Sequence, residues 1–134
     1  METPPRYLAE KVVMMPRDTN AHGTIFGGVI LSHMDMAGSV GATMHARSQG
    51  WAEHLFVTVA MDGVQFLKPV FVGDVVSFWV SPVKVGRTSI TMRVEVEADR
   101  RGSAEPLPLT HAEITYVAVE SDGSGGHRTV PVCG

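Results

Sequence analysis

The sequence predicts an α+β fold in which one long helix lies on a curved antiparallel sheet of about five strands. Three observations carry this. Residues 26–47 place Ala, Met, Leu and Ile at helical spacing, and they form the one long helical pattern in the chain. The other ordered segments alternate or are rich in β-branched and aromatic residues. Their order is strand, helix, then about four strands, which leaves no βαβ alternation to build a parallel sheet.

Each element has its own signal. "YLAEKVVMM" reads as the first strand, closed by Pro16, and "RDTNAHGT" as a polar loop. The helix follows, with Gly50 as its stop. "LFVTVAMDGVQFL" and "GDVVSFWVSPV" read as strands, and "TSITMRVEVEA" sets Ile90, Met92, Val94 and Val96 against polar neighbours. "LTHAEITYVAVE" is the final strand. Turns fall at Gly73-Asp74, at Gly86-Arg87 and in "DRRGSAEPLP". The Gly- and Ser-rich segment 121–134 is expected to be a mobile tail.

With 134 residues, 44% hydrophobic and 19% charged, the chain fits one domain spanning 1–134. A net charge of -3 argues against a nucleic-acid partner, which calls for a basic face. No run approaches the roughly 18 to 20 apolar residues of a membrane span, and "METPPRYLAEK" lacks the apolar core of a signal peptide, so the cytoplasm is the expected compartment. The single cysteine, Cys133, can staple nothing within the chain.

The helix poses the functional question. Ile30, Met34, Ala37, Gly41 and Met44 form one stripe, Leu31, Asp35, Gly38 and Ala42 the next, and Val29, Met36 and Val40 a third. A helix apolar around most of its circumference is expected to be wrapped by the sheet and covered by a second subunit. Gly38 and Gly41 each cost about 1 kcal/mol of helix propensity, which close backbone approach would offset. Between Asp18 and Arg47 the only charged side chain is Asp35. A carboxylate in apolar surroundings needs compensating hydrogen bonds, and such groups concentrate in active sites. The alternative reading is a structural aspartate, bonded to a neighbouring strand's backbone or facing an interface.

Just before the helix, "GTIFGGV" sets two glycines near its first turn, where unpaired N–H groups and the positive end of the helix dipole can polarise a carbonyl. Asp35 lies about 10 Å further along the helix than Gly28, too far for easy cooperation within one chain. A two-fold dimer can bring the helix start of one subunit to the aspartate of the other.

The string "PRDTNAHGTIFGGVILSHMDMAG" closely resembles the hot-dog fold acyl-CoA thioesterases, in their acyl-CoA hydrolase branch. The resemblance continues through "VQFLKPVFVGDVV", "VGRTSITMRVEV" and "LTHAEITYVAV", and so covers nearly the whole chain. It implies hydrolysis of acyl-CoA to a fatty acid and free coenzyme A, with no metal or redox cofactor and coenzyme A present only as part of the substrate. Asp35 matches the family's catalytic aspartate, Asn20 the asparagine acting opposite it from the neighbouring subunit, and the Gly27-Gly28 backbone the group that binds the thioester carbonyl. Sequence leaves open whether Asp35 activates water or attacks the carbonyl itself.

The remaining expectations concern substrate contacts. Arg87, Thr88 and Ser89 at a tight hairpin are candidates for holding phosphates or the pantetheine arm, with Lys68 a lesser one. Phe26 and His22 flank the helix start and are candidate substrate contacts. Met34, Met36 and Met44 suit an acyl tunnel or plain core. Ser32 and His33, adjacent on a helix, diverge by about 100° and lack a nucleophile elbow, and no histidine pair has a metal-binding spacing on one helix face. Two rival readings stay in view: a hot-dog hydratase or dehydratase using His22 with Asp35, and a silent acyl-CoA binder. A homodimer is the expected minimal unit, assembled further into a tetramer or hexamer.

Overall fold

The structure is a computed structural model and describes residues 3–133. Strand β1 (Tyr7–Val13) leads through a 3-10 turn (Pro16–Asp18) to helix α1 (Gly27–Ser48), followed by β2 (Leu55–Phe66), β3 (Val75–Val85), β4 (Ser89–Asp99), β5 (Leu107–Ser121) and β6 (His127–Thr129). The sheet is antiparallel with spatial order β1-β3-β4-β5-β2, and β6 pairs with the end of β5. Six strands therefore stand where the sequence predicts about five.

Alternation decides which face meets the helix. In β4, Ile90, Met92, Val94 and Val96 are buried, and in β5 so are Ala112, Ile114, Tyr116 and Ala118. The residues between them form a polar outer face, where Thr91 bonds Thr115 (2.9 Å) and the Trp79 indole N–H donates to Glu97 (2.8 Å). Helix α1 packs on the inner face through Ile30, Met34, Ala37, Gly38, Gly41 and Ala42. Burying each larger side chain there stabilises the fold by about 1.5–3 kcal/mol.

Close approach explains the two helix glycines. A Cβ on Gly38 would fall 2.0 Å from the Tyr116 hydroxyl, and one on Gly41 2.4 Å from Val80 Cγ1. The helix is not enclosed all round, however. Met36 is 53% exposed and Val40 45%, so one flank of the third stripe is bare in a single chain.

The C-terminal segment departs from the mobile tail that its composition predicts. "SDGSGG" makes a turn in which Asp122 Oδ1 accepts from the Ser124 and Gly126 amides. Beyond it β6 joins the sheet, Val132 is fully buried, and its amide donates to the Arg87 carbonyl (2.9 Å). One apolar side chain at the right place outweighs a flexible composition. No helix among the described residues is long and apolar enough to cross a membrane.

Candidate active site

Asp35 faces the last strand of the sheet order, β2. Its side chain is half-buried, and the Thr58 hydroxyl donates to Oδ1 at 2.6 Å. The same turn of helix is gripped from below, where the buried Tyr116 hydroxyl donates to the Asp35 carbonyl at 2.7 Å. Burial first, and then the Asp35 charge, push the Tyr116 phenol well above its ordinary value, so it stays a hydrogen-bond donor at any physiological pH. One oxygen of Asp35 is thus oriented by Thr58, while Oδ2 has no partner among the described residues.

The helix start is built differently. Phe26 sits at the N-cap in an extended conformation with no side-chain cap, and no acid occupies the first turn. The Gly27 and Gly28 amides have no acceptor among the described residues, whereas the Val29 amide folds back to the Phe26 carbonyl (3.0 Å). Two backbone bonds anchor this entrance, Phe26 amide to Asp18 carbonyl (2.8 Å) and Ile25 amide to Val70 carbonyl (2.7 Å). Beside it opens a pocket of about 190 Å³ lined by Ile25, Gly27, Ile30, Phe66, Lys68 and Val70. A larger cavity of about 430 Å³, lined by His54, Leu55 and Val119 among others, does not include Asp35.

Asn20 is committed to its own loop. Its Oδ1 accepts from the His22 (2.8 Å) and Thr24 (3.2 Å) amides, and its Nδ2 donates to the Thr24 hydroxyl (2.9 Å). One Nδ2 hydrogen is left over. His22 and Phe26 are exposed beside it, Phe26 at 57%. Arg87 is exposed and Thr88 and Ser89 half-buried at the β3–β4 hairpin. That hairpin adjoins the aspartate region, because β5 carries Val117 between Ser89 and Val57, next to Tyr116 between Ile90 and Thr58. Two strand spacings of about 4.8 Å separate them.

The structure thus brings Asp35 to the hairpin side of the sheet and leaves Asn20, His22, Phe26, Gly27 and Gly28 together around the helix start. Within one chain the two groups do not meet. Met34 belongs to the core, while Met36 points outward. His33 is taken by Glu10 on β1 (2.5 Å), and Ser32 is exposed with no basic partner among the described residues. Among the described residues, no three His, Cys, Asp or Glu side chains converge as a metal site would need. Thr58 and Tyr116, both in contact with Asp35, carry no marker in the sequence; Gly38 was the one hint that a bulky neighbour presses on that turn.

Residues 22–105, which contain the helix, Asp35 and strands β2 to β4, match the Thioesterase superfamily. The chain belongs to that superfamily. Among its thioesterase relatives, the acyl-CoA thioester hydrolase YciA of Salmonella typhimurium is 40% identical over 98% of this chain and 96% of its own. YciA of Escherichia coli is 38% identical over 93% of this chain and 91% of its own. The hexameric hotdog fold thioesterase Cj0915 of Campylobacter jejuni shares 40% identity over 92% of this chain and 88% of that one, with a TM-score of 0.77. An acyl-CoA hydrolase of Staphylococcus aureus, solved as an asparagine-to-alanine mutant in complex with coenzyme A, has 26% identity over 94% of this chain and 70% of that one, with a TM-score of 0.77. The helix on an antiparallel sheet is therefore the hot-dog fold of this thioesterase superfamily.

Proposed function

We propose that this protein hydrolyses acyl-CoA thioesters to a free acid and coenzyme A, in a site completed by two subunits. The observation that carries the reading is the pair of half-sites on one edge strand: Asp35 is held at the Thr58 end of β2, and the uncapped Gly27–Gly28 amides stand at its Phe66 end. Among the described residues β2 pairs with β5 alone, and Leu55, Val57, Val59 and Phe66 are 42–63% exposed along it. An edge so apolar is a template for pairing with another strand. Two copies of β2 paired antiparallel about a two-fold axis bring the Phe66 end of one chain toward the Thr58 end of its partner, and with it the amides toward the carboxylate.

In that arrangement the Gly27 and Gly28 amides receive the thioester oxygen and stabilise the charge it gains as the carbonyl becomes tetrahedral; one such donor is typically worth about 100- to 1000-fold in rate. Asp35, oriented through Oδ1, uses Oδ2 to take a proton from water. The water oxygen bonds to the carbonyl carbon, the C–S bond breaks, and the proton passes to the leaving thiolate. The spare Nδ2 hydrogen of Asn20 orients the water or the thioester. Support comes from the Staphylococcus aureus hydrolase, whose two alanine mutants replace an asparagine and an aspartate standing the same fifteen residues apart as Asn20 and Asp35.

In this reading Arg87, Thr88 and Ser89 take the phosphates or the pantetheine arm, and Phe26 and His22 line the acyl side. The reaction as written needs no cofactor beyond the substrate's own coenzyme A. Three β2-paired dimers give a hexamer, the assembly named for the Campylobacter jejuni and Yersinia pestis relatives. Exposed Met36 and Val40 then supply apolar surface between dimers.

Thiol release from a panel of acyl-CoAs tests the reading, with Asp35→Ala as the control. Release by the native protein and its loss in the variant are expected. Native-like turnover by Asp35→Ala on every substrate removes the carboxylate from the mechanism, and hydration of an enoyl-CoA without thiol release replaces hydrolysis altogether. Single turnover in ¹⁸O water, with mass analysis of the Asp35 peptide, separates the two roles of the carboxylate: label in Asp35 means direct attack.

A further inference from the structure

We infer that Asp74 and Arg100 are positioning residues for the carbonyl-binding amides, acting through the loop between β2 and β3. The inference rests on the hydrolase reading above and adds two residues to it. The Asp74 side chain is 3% exposed and that of Arg100 25%. The Arg100 guanidinium grips the carboxylate with two prongs, Nε to Oδ1 at 3.0 Å and Nη2 to Oδ2 at 2.8 Å. Nη2 also donates to the Pro69 carbonyl at 3.0 Å, and the guanidinium lies over the Phe71 ring at 4.7 Å. The Phe71 amide donates to Asp74 Oδ2 at 2.9 Å. Burial alone would push the Asp74 carboxyl up, but the bonds from Arg100 and Phe71 and the Arg100 charge together hold it below its usual value. The pair is therefore charged and fixed.

What it fixes is the loop that carries Val70. Pro69 and Phe71, the residues on either side, are both tied to the pair, and Val70 is the residue whose carbonyl accepts from the Ile25 amide. Ile25 stands two residues before Gly27. The same loop forms one wall of the pocket beside Gly27, through Leu67, Lys68, Pro69 and Val70. With no side-chain cap on the helix, the direction of the Gly27 and Gly28 amides depends on the two backbone bonds that hold Ile25 and Phe26. One of the two hangs from Arg100 through this loop. A planar, two-pronged donor holds such a geometry where a lysine, a single point charge, cannot.

Displacement of a reacting group by about 1 Å can cost on the order of 100-fold in rate even when the change lies remote from the chemistry. Donors that act on charge developed in the transition state affect kcat rather than substrate affinity. Arg100→Met and Arg100→Lys are therefore expected to lower kcat about 10- to 100-fold with KM for acyl-CoA within about twofold. The assay is run on the assembled full-length protein, below each variant's melting temperature. Asp74→Asn keeps the shape and one acceptor oxygen, and is expected to fall between native and Arg100→Met. A folded variant with native kcat overturns the inference, as does a rise in KM at constant kcat. If Arg100→Met does not fold, Arg100→Lys and Asp74→Asn decide by the same criterion. Failure here is distinct from failure of the hydrolase reading: native kcat in Arg100→Lys beside an inactive Asp35→Ala refutes the positioning role alone.

Discussion

The two halves of the candidate site are held by opposite means. Asp35 is fixed by side chains, with Thr58 on its carboxylate and Tyr116 beneath its carbonyl, both reaching across from the sheet. The Gly27–Gly28 entrance is held by direct backbone bonds, through loops that end at Asp18 and Val70. In the proposed reaction the carboxylate presents one oxygen in a set direction, which a fixed hydroxyl donor achieves. In the same proposal the amides stay unpaired until a carbonyl arrives, so any side chain close enough to hold them would also occupy them. The difference predicts that point substitutions will damage the first half directly and the second only through its supports.

The largest expected effect is at the carboxylate itself. Asp35→Asn keeps the shape and the Thr58 contact but cannot accept the proton, and kcat should fall by about 100- to 10,000-fold. Because Asp35 makes no ion pair among the described residues, the melting temperature should barely move. A large stability change with activity retained would make Asp35 a structural acceptor instead.

Next in size is the helix–strand contact under that turn. Gly38→Ala sets a methyl 2.0 Å from the Tyr116 oxygen and 2.8 Å from its Cζ, and overpacking of this kind costs about 1–3 kcal/mol. Urea unfolding of Gly38→Ala, Tyr116→Phe and the double variant should show less than additive losses, since removing the oxygen relieves the worst clash. Additive losses would mean that the two residues do not press on each other.

Much of this geometry is legible in the sequence, and the rest fails for identifiable reasons. A lone aspartate in an apolar helix and two costly glycines three residues apart are local anomalies, and both proved to mark close contacts with the sheet. Thr58 lies 23 positions from Asp35 in a strand where it looks like any β-branched residue, so nothing local announces its hydrogen bond. Arg100 is 26 positions from Asp74 and sits in "DRRG", which reads as a turn. The bare flank at Met36 and Val40 fits the expectation that this chain covers only part of an apolar helix, while the periodicity does not say which stripe is left bare. β6 has no apolar signal because His127–Thr129 are all exposed, and the buried Val132 beyond it is a single side chain without a period.

A smaller effect should follow from Thr58→Val, which is nearly isosteric and deletes the 2.6 Å bond to Oδ1. A hydrogen bond to a charged group is worth about 1.5–3 kcal/mol, and a half-buried carboxylate stands at the low end, so kcat should fall roughly tenfold with KM little changed. Thr58→Ser, which keeps the hydroxyl, should restore most of the loss. No recovery with serine would show that the methyl, not the hydroxyl, sets the carboxylate.

The far end of the same helix supplies the mildest test, because it holds a titratable side chain with no part in the chemistry. His45 is 7% exposed, with the Tyr7 hydroxyl 2.8 Å from Nδ1 and the Trp51 ring edge-on at 5.4 Å. Burial lowers its pKa from the ordinary value of 6.5. In the unfolded chain His45 takes up a proton near 6.5, whereas in the folded chain it does so only at lower pH. Below about 6.5 the unfolded state therefore binds more protons, and stability falls with falling pH until the folded-state value is passed. Melting temperatures measured from pH 7.5 to 5 should show this decline, and His45→Gln should flatten it while leaving kcat at neutral pH unchanged. A decline that survives the substitution places the titration elsewhere, and a drop in kcat would mean that the two ends of α1 are not independent.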